Sequence, residues 1–294
     1  MILQKLIENI DCTVIKGSAD AQVQAVQYDS RKVGKGDLFV CITGFQSDGH
    51  NYARSAAEKG ASVIVAEHEV DVPDGVTVVI AENTRLALAQ ISAAYYDFPS
   101  EKINVIGVTG TNGKTTTTYL IKTILDNIGY KTGVVGTIGN MIGNRKLHAD
   151  RTTPESLELQ ELFKEMYDAG AIFSNLVLWT NSYQKQIITD IYSVMEVSSH
   201  SLSLDRVAGV KYSTAIFTNL TQDHLDYHKT MENYMKAKGI LFSMADKAVI
   251  NMDDEAGKYM KSVSKGNVMT VGIDYEKAES GKFFRYRRRC KLYS

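Results

Sequence analysis

Lys114 and Thr115 lie near the end of the run Gly110-Thr111-Asn112-Gly113-Lys114-Thr115-Thr116, which follows the apolar stretch Ile103-Asn-Val-Ile-Gly-Val-Thr109. That order reads as a phosphate-binding loop. The apolar stretch suits a buried parallel strand, and the two glycines let backbone N–H groups turn inward. The residues after Thr116 have helical spacing, so a polyphosphate would rest on a helix N-terminus. Lys114 would then meet the terminal phosphates as a point charge while the Thr115 hydroxyl takes one place on a magnesium ion. The general pattern also wants a glycine separated by four residues from Gly113-Lys114; that position is Val108, with Gly107 one place early. The rest of the chemistry must come from elsewhere in the chain.

Two further segments qualify, each just beyond an apolar run. Met195-Glu196-Val197-Ser198-Ser199-His200 sets a carboxylate at a strand end, and carboxylate oxygen is a hard ligand suited to magnesium. Seen alone, Glu196 could equally face solvent, with Ser198 capping a helix. Asn219-Leu-Thr-Gln-Asp223-His224-Leu-Asp226-Tyr-His228 gathers histidines and aspartates densely. Its spacing is not HExxH and no cysteine cooperates, which argues against zinc.

The elements that position these residues read as two α/β units. Residues 1–98 alternate short strands with helical stretches, and Phe98-Pro99 breaks the helix that Asn83-Thr84 begins, because the residue before proline avoids helical angles. Residues 99–275 fit a mainly parallel sheet with helices on both faces. One helix is expected over Pro154–Ala169, capped by Thr153 and ended by Gly170, and another over Met231–Met244. Ligands in such sheets gather at the carboxyl ends of the strands, which selects residues 109–115, 196–200 and 219–228. Residues 171–189 fit no period, and 276–294 form a basic, aromatic tail for which a solvated end is the simpler reading.

A net charge of -1 argues against a nucleic-acid or anionic-membrane surface spread over the molecule. Cys12, Cys41 and Cys290 show no disulfide or zinc spacing. No run approaches about 18 apolar residues and no leader is evident, so a cytoplasmic protein without a membrane partner is expected.

Taken together, the Gly-Thr-Asn-Gly-Lys-Thr loop, the Glu-Val-Ser-Ser-His strand end and the Asp-His-Leu-Asp-Tyr-His turn resemble, in that order, the Mur ligase family. The resemblance spans residues 1 to about 170 and 191 to about 275. It implies ATP-dependent addition of an amino acid to UDP-N-acetylmuramoyl-L-alanyl-D-glutamate through an acyl phosphate, in peptidoglycan synthesis. It assigns Lys114 and its loop to ATP, Thr115 with Glu196 to one magnesium, and His224 to a second. Lys238 falls where the family carries a carbamylated lysine that helps bind that second ion. Ser30, in Tyr28-Asp-Ser-Arg31, corresponds to the uridine-diphosphate pocket. Thr152, Thr153, Ser198 and Arg206 correspond to positions holding the sugar nucleotide and its acidic peptide. Asn112 and Asn219 are either polar helpers in the same cleft or structural residues. The partners implied are small molecules only, with the protein a monomer. The family's third, C-terminal domain, which closes over ATP and selects the amino acid, is expected to be absent, leaving this chain impaired or inactive alone. Other readings are a related ligase acting on folate polyglutamate or another cell-wall substrate, and a noncatalytic nucleotide-binding module recruited through the tail.

Overall fold

The computed structural model describes residues 1–44, 47–180 and 190–273, with backbone alone for 171–180. The tail 276–294, with Cys290, and residues 181–189 of the irregular segment therefore lie outside the described residues.

The first unit runs through α1 (Leu3–Ile7), β1 (Cys12–Lys16), β2 (Val26–Gln27), β3 (Leu38–Val40), α2 (Ala53–Glu58), β4 (Val63–Ala66), β5 (Thr77–Ala81) and α3 (Thr84–Tyr95), and α4 (Pro99–Lys102) leads into the second. Its sheet has the order β1-β5-β4-β3-β2, parallel except where β1 meets β5. The inner strands are apolar throughout because both faces are covered. Leu38, Val40, Val63 and Val65 point into one core, and Phe39 and Ile64 into another. Asn83 caps α3 by accepting from the N–H groups of Arg85 and Leu86, both at 3.0 Å. Phe98 then takes a left-handed φ of 49°, and Pro99 opens α4.

The second unit comprises β6 (Asn104–Thr109), α5 (Lys114–Asn127), β7 (Lys131–Val135), β8 (Asn140–Ile142), β9 (Arg145–Leu147), α6 (Ser156–Thr180), β10 (Ile191–Glu196) and α7 (Ser199–Ser203). It continues with β11 (Thr214–Phe217), α8 (Leu225–His228), α9 (Met231–Met244), β12 (Lys247–Asn251), α10 (Ala256–Val263) and β13 (Asn267–Val271). The sheet order is β13-β12-β11-β6-β10-β7-β8-β9, parallel from β13 to β7 and antiparallel thereafter. The chain leaves β6 toward β7, returns to insert β10, and passes to β11 on the other side. The crevice where strand order reverses thus opens above β6, β10 and β11.

Helices do not cover both faces equally. Val105, Met195, Phe217 and Ile250 pack with Phe163 of α6, Leu202 of α7, Leu241 of α9 and Met260 of α10. Among the described residues α5 alone lies on the opposite face, against β7, β10 and β6.

Helix α6 also departs from expectation at both ends. It starts at Ser156 rather than Pro154, because the Thr153 hydroxyl donates to the Glu196 carbonyl at 2.9 Å instead of capping. It continues past Gly170 to Thr180. Gly170 is a contact residue rather than a stop: a Cβ there would come within 2.4 Å of Ile191 Cδ1. No helix among the described residues is long and apolar enough to cross a membrane.

Candidate active site

The loop between β6 and α5 is held in shape before any ligand arrives. Gly110 has φ 147°, and a Cβ on it would lie 1.9 Å from Thr218 Oγ1, so no other residue fits. Gly113, with φ 84°, ends the loop at the first turn of α5. The Asn112 N–H donates to Asn219 Oδ1 at 3.0 Å, and Asn219 Nδ2 donates back to the Asn112 carbonyl at 3.1 Å. Thr218 Oγ1 donates to that carbonyl as well, at 2.7 Å. These bonds favour the structural role for Asn219.

Two lysines converge on this loop. Lys114 Nζ donates to the carbonyls of Gly110 and Thr111 at 2.9 and 2.8 Å. Lys238, from α9, donates to the same Gly110 carbonyl at 2.9 Å and stands 4.5 Å above the Tyr234 ring. Burial, helped by repulsion from Lys114 and opposed by Asp223, pulls the Lys238 amine down to about 7. Lys114 is lowered too, by burial, with Glu196 and Asp223 acting against it.

Glu196 ends β10 and is 1% exposed. Its Oε2 accepts from the hydroxyls of Thr115 at 2.9 Å and Thr137 at 3.2 Å, and its Oε1 accepts from the Thr137 N–H at 2.9 Å. Gly136 permits this approach, since a Cβ there would meet Glu196 Oε1 at 2.4 Å. A buried carboxylate and a loop hydroxyl already in contact form a hard-oxygen pair suited to magnesium. Among the described residues no cluster of three or more His, Cys, Asp or Glu stands ready to hold a metal. An ion here would complete its shell with phosphate and water oxygens.

His224 begins α8 at a left-handed φ of 52°, with its ring edge-on to His200 at 4.9 Å and to Tyr234 at 6.2 Å. Lys114, Thr115, Glu196, His224 and Lys238 line one cavity of about 300 Å³. Thr111, Asn112, Gly113, Thr152 and Ser198 line it as well. Thr153 borders it through its bonds to Glu196 and Ser198. Ser198 caps α7 by accepting from the Ser201 N–H at 3.1 Å. Thr116 is exposed on α5 outside the cavity.

Ser30 and Arg206 lie elsewhere. The Ser30 carbonyl accepts from Lys59 at 2.8 Å, and neighbouring Asp29 pairs with Arg31, which holds its carboxyl at about 2. That turn reaches the second unit through Tyr28, whose hydroxyl donates to Glu158 at 2.7 Å beside a hollow shared with Arg151 and Glu155. Arg206 meets Glu155 at 2.5 Å, and Glu155, 6% exposed, also takes Arg151 at 3.0 Å and Arg85 at 3.7 Å. Three guanidinium groups on one buried carboxylate leave a local excess of positive charge where the units meet.

Sequence reasoning missed Thr137, Tyr234 and Ser199 in the cavity, and Glu155 outside it. Thr137 had a signal, since it follows the β7 run at a strand's carboxyl end, but the apolar stretch reads on to Ile138. His228 anchors the opposite wall: its Nε2 lies 2.8 Å from Ser199 Oγ, and its ring tilts over Tyr234 at 5.1 Å.

Comparison with known proteins bears on this arrangement. A UDP-N-acetylmuramoyl-L-alanyl-D-glutamate–2,6-diaminopimelate ligase of Clostridium perfringens is 46% identical over 271 residues, which is 92% of this chain and 52% of that protein. One from Clostridium botulinum is 47% identical over 277 residues, 93% of this chain and 53% of that protein. The chain thus spans about half the length of the curated relatives it matches. A solved structure of a ligase of the same name superposes with a TM-score of 0.75 at 26% identity, covering 95% of this chain and 53% of that one. The description "Mur ligase family, catalytic domain" matches residues 22–96. "Mur ligase middle domain" matches 108–292, reaching beyond Asp274, where the recognisable motifs stop. With its middle-domain match covering most of the sequence, the chain belongs to the Mur ligase family.

Proposed function

We propose that this chain forms the sugar-nucleotide-binding and ATP-binding part of a ligase that adds an amino acid to UDP-N-acetylmuramoyl-L-alanyl-D-glutamate in peptidoglycan synthesis. Residues 1–98 would hold the uridine diphosphate near Ser30, and residues 99–275 would hold ATP. The relatives' names favour 2,6-diaminopimelate as the amino acid added. One observation carries the reading: a phosphate-binding loop, a buried carboxylate, a histidine and a buried lysine share one cavity at the sheet's switch point.

In this proposal the loop N–H groups and the start of α5 bind the ATP phosphates, and Lys114 releases the Gly110 and Thr111 carbonyls to meet the terminal phosphate. Thr115 and Glu196 would hold one magnesium ion, and His224 with a carbamylated Lys238 a second. Such ions supply positive charge that offsets repulsion between phosphate and carboxylate. Lys238 is suited to carbamylation because burial lowers its amine to about 7, which leaves a large neutral fraction near neutral pH. A neutral amine adds to carbon dioxide and loses one proton, which exchanges a buried cation for an anionic oxygen donor. Arg206 and Arg151 would turn from Glu155 toward an acidic substrate group, where a planar guanidinium makes two parallel bonds. In this proposal the substrate carboxylate attacks the γ-phosphate and ADP leaves; the amino acid's neutral amine then attacks the acyl carbon, and phosphate departs as the nitrogen gives up a proton. Positioning and charge complementarity do most of the catalytic work.

Calorimetric titration tests the reading. Magnesium-ATP should bind this chain saturably, and Lys114→Ala should weaken it by about 100-fold, the loss of a charge-assisted contact in a buried site. UDP-N-acetylmuramoyl-L-alanyl-D-glutamate should bind independently of that change. Absence of nucleotide binding by the unaltered chain would overturn the ATP assignment; nucleotide binding without the sugar nucleotide would point to a ligase with another substrate.

A further inference from the structure

The hydroxyl of Thr137 has one proton and two acceptors within reach. Its Oγ1 lies 3.2 Å from Glu196 Oε2 and 3.1 Å from Thr152 Oγ1, and it can donate to only one of them at a time. The backbone around it is held in place. The Thr137 N–H donates to Glu196 Oε1 at 2.9 Å, and the Gly139 N–H closes the turn by donating to the Gly136 carbonyl at 3.1 Å. Thr137 therefore stands between the buried carboxylate that ends β10 and Thr152, in the segment leading from β9 to α6. All three residues line one cavity.

Charge decides which acceptor receives the proton. A hydrogen bond to a carboxylate is roughly twice as strong as one between neutral hydroxyls, so Glu196 draws the Thr137 proton to Oε2. The Thr137 oxygen is then left to accept, and the Thr152 hydroxyl points its own proton inward. A cation on Oε2 reverses this order. Oε2 also accepts from the Thr115 hydroxyl at 2.9 Å, and a magnesium ion held by this pair would need the lone pairs that the two protons now occupy. Thr137 would then donate to Thr152 Oγ1, and Thr152, accepting from behind, would turn its proton out into the cavity.

We infer that Glu196, Thr137 and Thr152 form a hydroxyl relay: a metal ion at Glu196 turns Thr152 from an inward into an outward hydrogen-bond donor, aimed at an acceptor oxygen of the sugar nucleotide. Thr137 is a positioning residue in this scheme, acting through its two neighbours. An outward donor suits a ligand whose diphosphate and carboxylates are anionic acceptors. Metal-bound nucleotide and sugar nucleotide would strengthen each other's binding by the same factor, because coupling between two sites is reciprocal. The inference rests on the proposed assignment of Thr115 and Glu196 to magnesium and of Thr152 to the sugar nucleotide.

Calorimetry on the whole chain tests it, with UDP-N-acetylmuramoyl-L-alanyl-D-glutamate titrated before and after addition of magnesium and a non-hydrolysable ATP analogue. The parent should bind the sugar nucleotide about 5-fold more tightly with both present, the lower end of ordinary coupling between sites. Thr137→Val keeps the N–H and the branched shape but lacks the hydroxyl. It should bring that ratio to about 1, while affinity for the magnesium-bound analogue changes by less than about 3-fold. Thr137→Ser should restore the coupling, whereas a packing role of the methyl group would be kept by valine and lost in serine. Thr137 is exposed, so neither variant should shift the melting temperature. With a chelator in place of magnesium the parent should show no coupling. Coupling that survives in Thr137→Val or persists without magnesium would overturn the relay, as would its absence from a parent that binds both ligands. A parent that fails to bind one of the ligands would sink the site assignment itself, and the relay with it.

Discussion

Replacing Lys238 by methionine should flatten the pH dependence of this protein's stability in the mildly alkaline range. Lys238 is 1% exposed, and its amine titrates at about 7 in the folded chain against 10.5 when free. Between those values the unfolded chain holds more protons, so stability rises with pH, by up to about 1.4 kcal/mol per pH step. The destabilisation from burying this group is complete below about 7 and disappears as pH rises through 10.5. From about pH 7 to about pH 9.5 the relief amounts to about 3 kcal/mol. Methionine has similar length and no charge, and the Gly110 carbonyl keeps its bond from Lys114. The variant should therefore gain on the parent by about 3 kcal/mol as pH falls across that range. Urea unfolding in carbon-dioxide-free buffer measures both curves. Parallel curves would show that burial and Lys114 do not hold this amine near neutrality, and the case for its carbamylation would lose its physical basis. In bicarbonate, the parent alone should show a carbamate signal by carbon-13 NMR.

Two other substitutions probe the neighbouring geometry. Gly136→Ala places a methyl group 2.4 Å from Glu196 Oε1, so the carboxylate must move; magnesium-dependent nucleotide affinity should fall about 10-fold, by calorimetry, with magnesium-independent binding kept. Glu155→Gln removes the counter-charge of Arg206, Arg151 and Arg85. It should cost about 3 kcal/mol in urea unfolding, and a neutral result would mean that solvent already screens the cluster.

Local chemistry wrote much of the fold into the sequence. Asn83 and Thr230 accept from the first helical N–H groups as their side chains dictate, Pro99 opens a new helix after the left-handed Phe98, and continuous apolar runs become strands buried on both faces. The convergence of Lys114, Thr115, Glu196 and His224 was legible for a similar reason. Each lies at a strand's carboxyl end or at the start of a helix, and a parallel sheet gathers those points. Lys238 was not legible from spacing, because on a helix it reads as a solvated lysine; only packing of α9 against the loop buries it, and the family resemblance alone singled it out. Partners distant in sequence were hidden for the same reason. Nothing near Arg206 announces Glu155, and nothing near Gly170 announces Ile191, so a guanidinium expected to await an anion is already paired and a glycine expected to end a helix lies within it. That α5 alone, among the helices of the described residues, lies on the second face of the central sheet is likewise a tertiary result. Alternation along β11, β12 and β13 gives each strand two apolar faces, but which face finds a covering helix depends on where the chain's other helices come to rest.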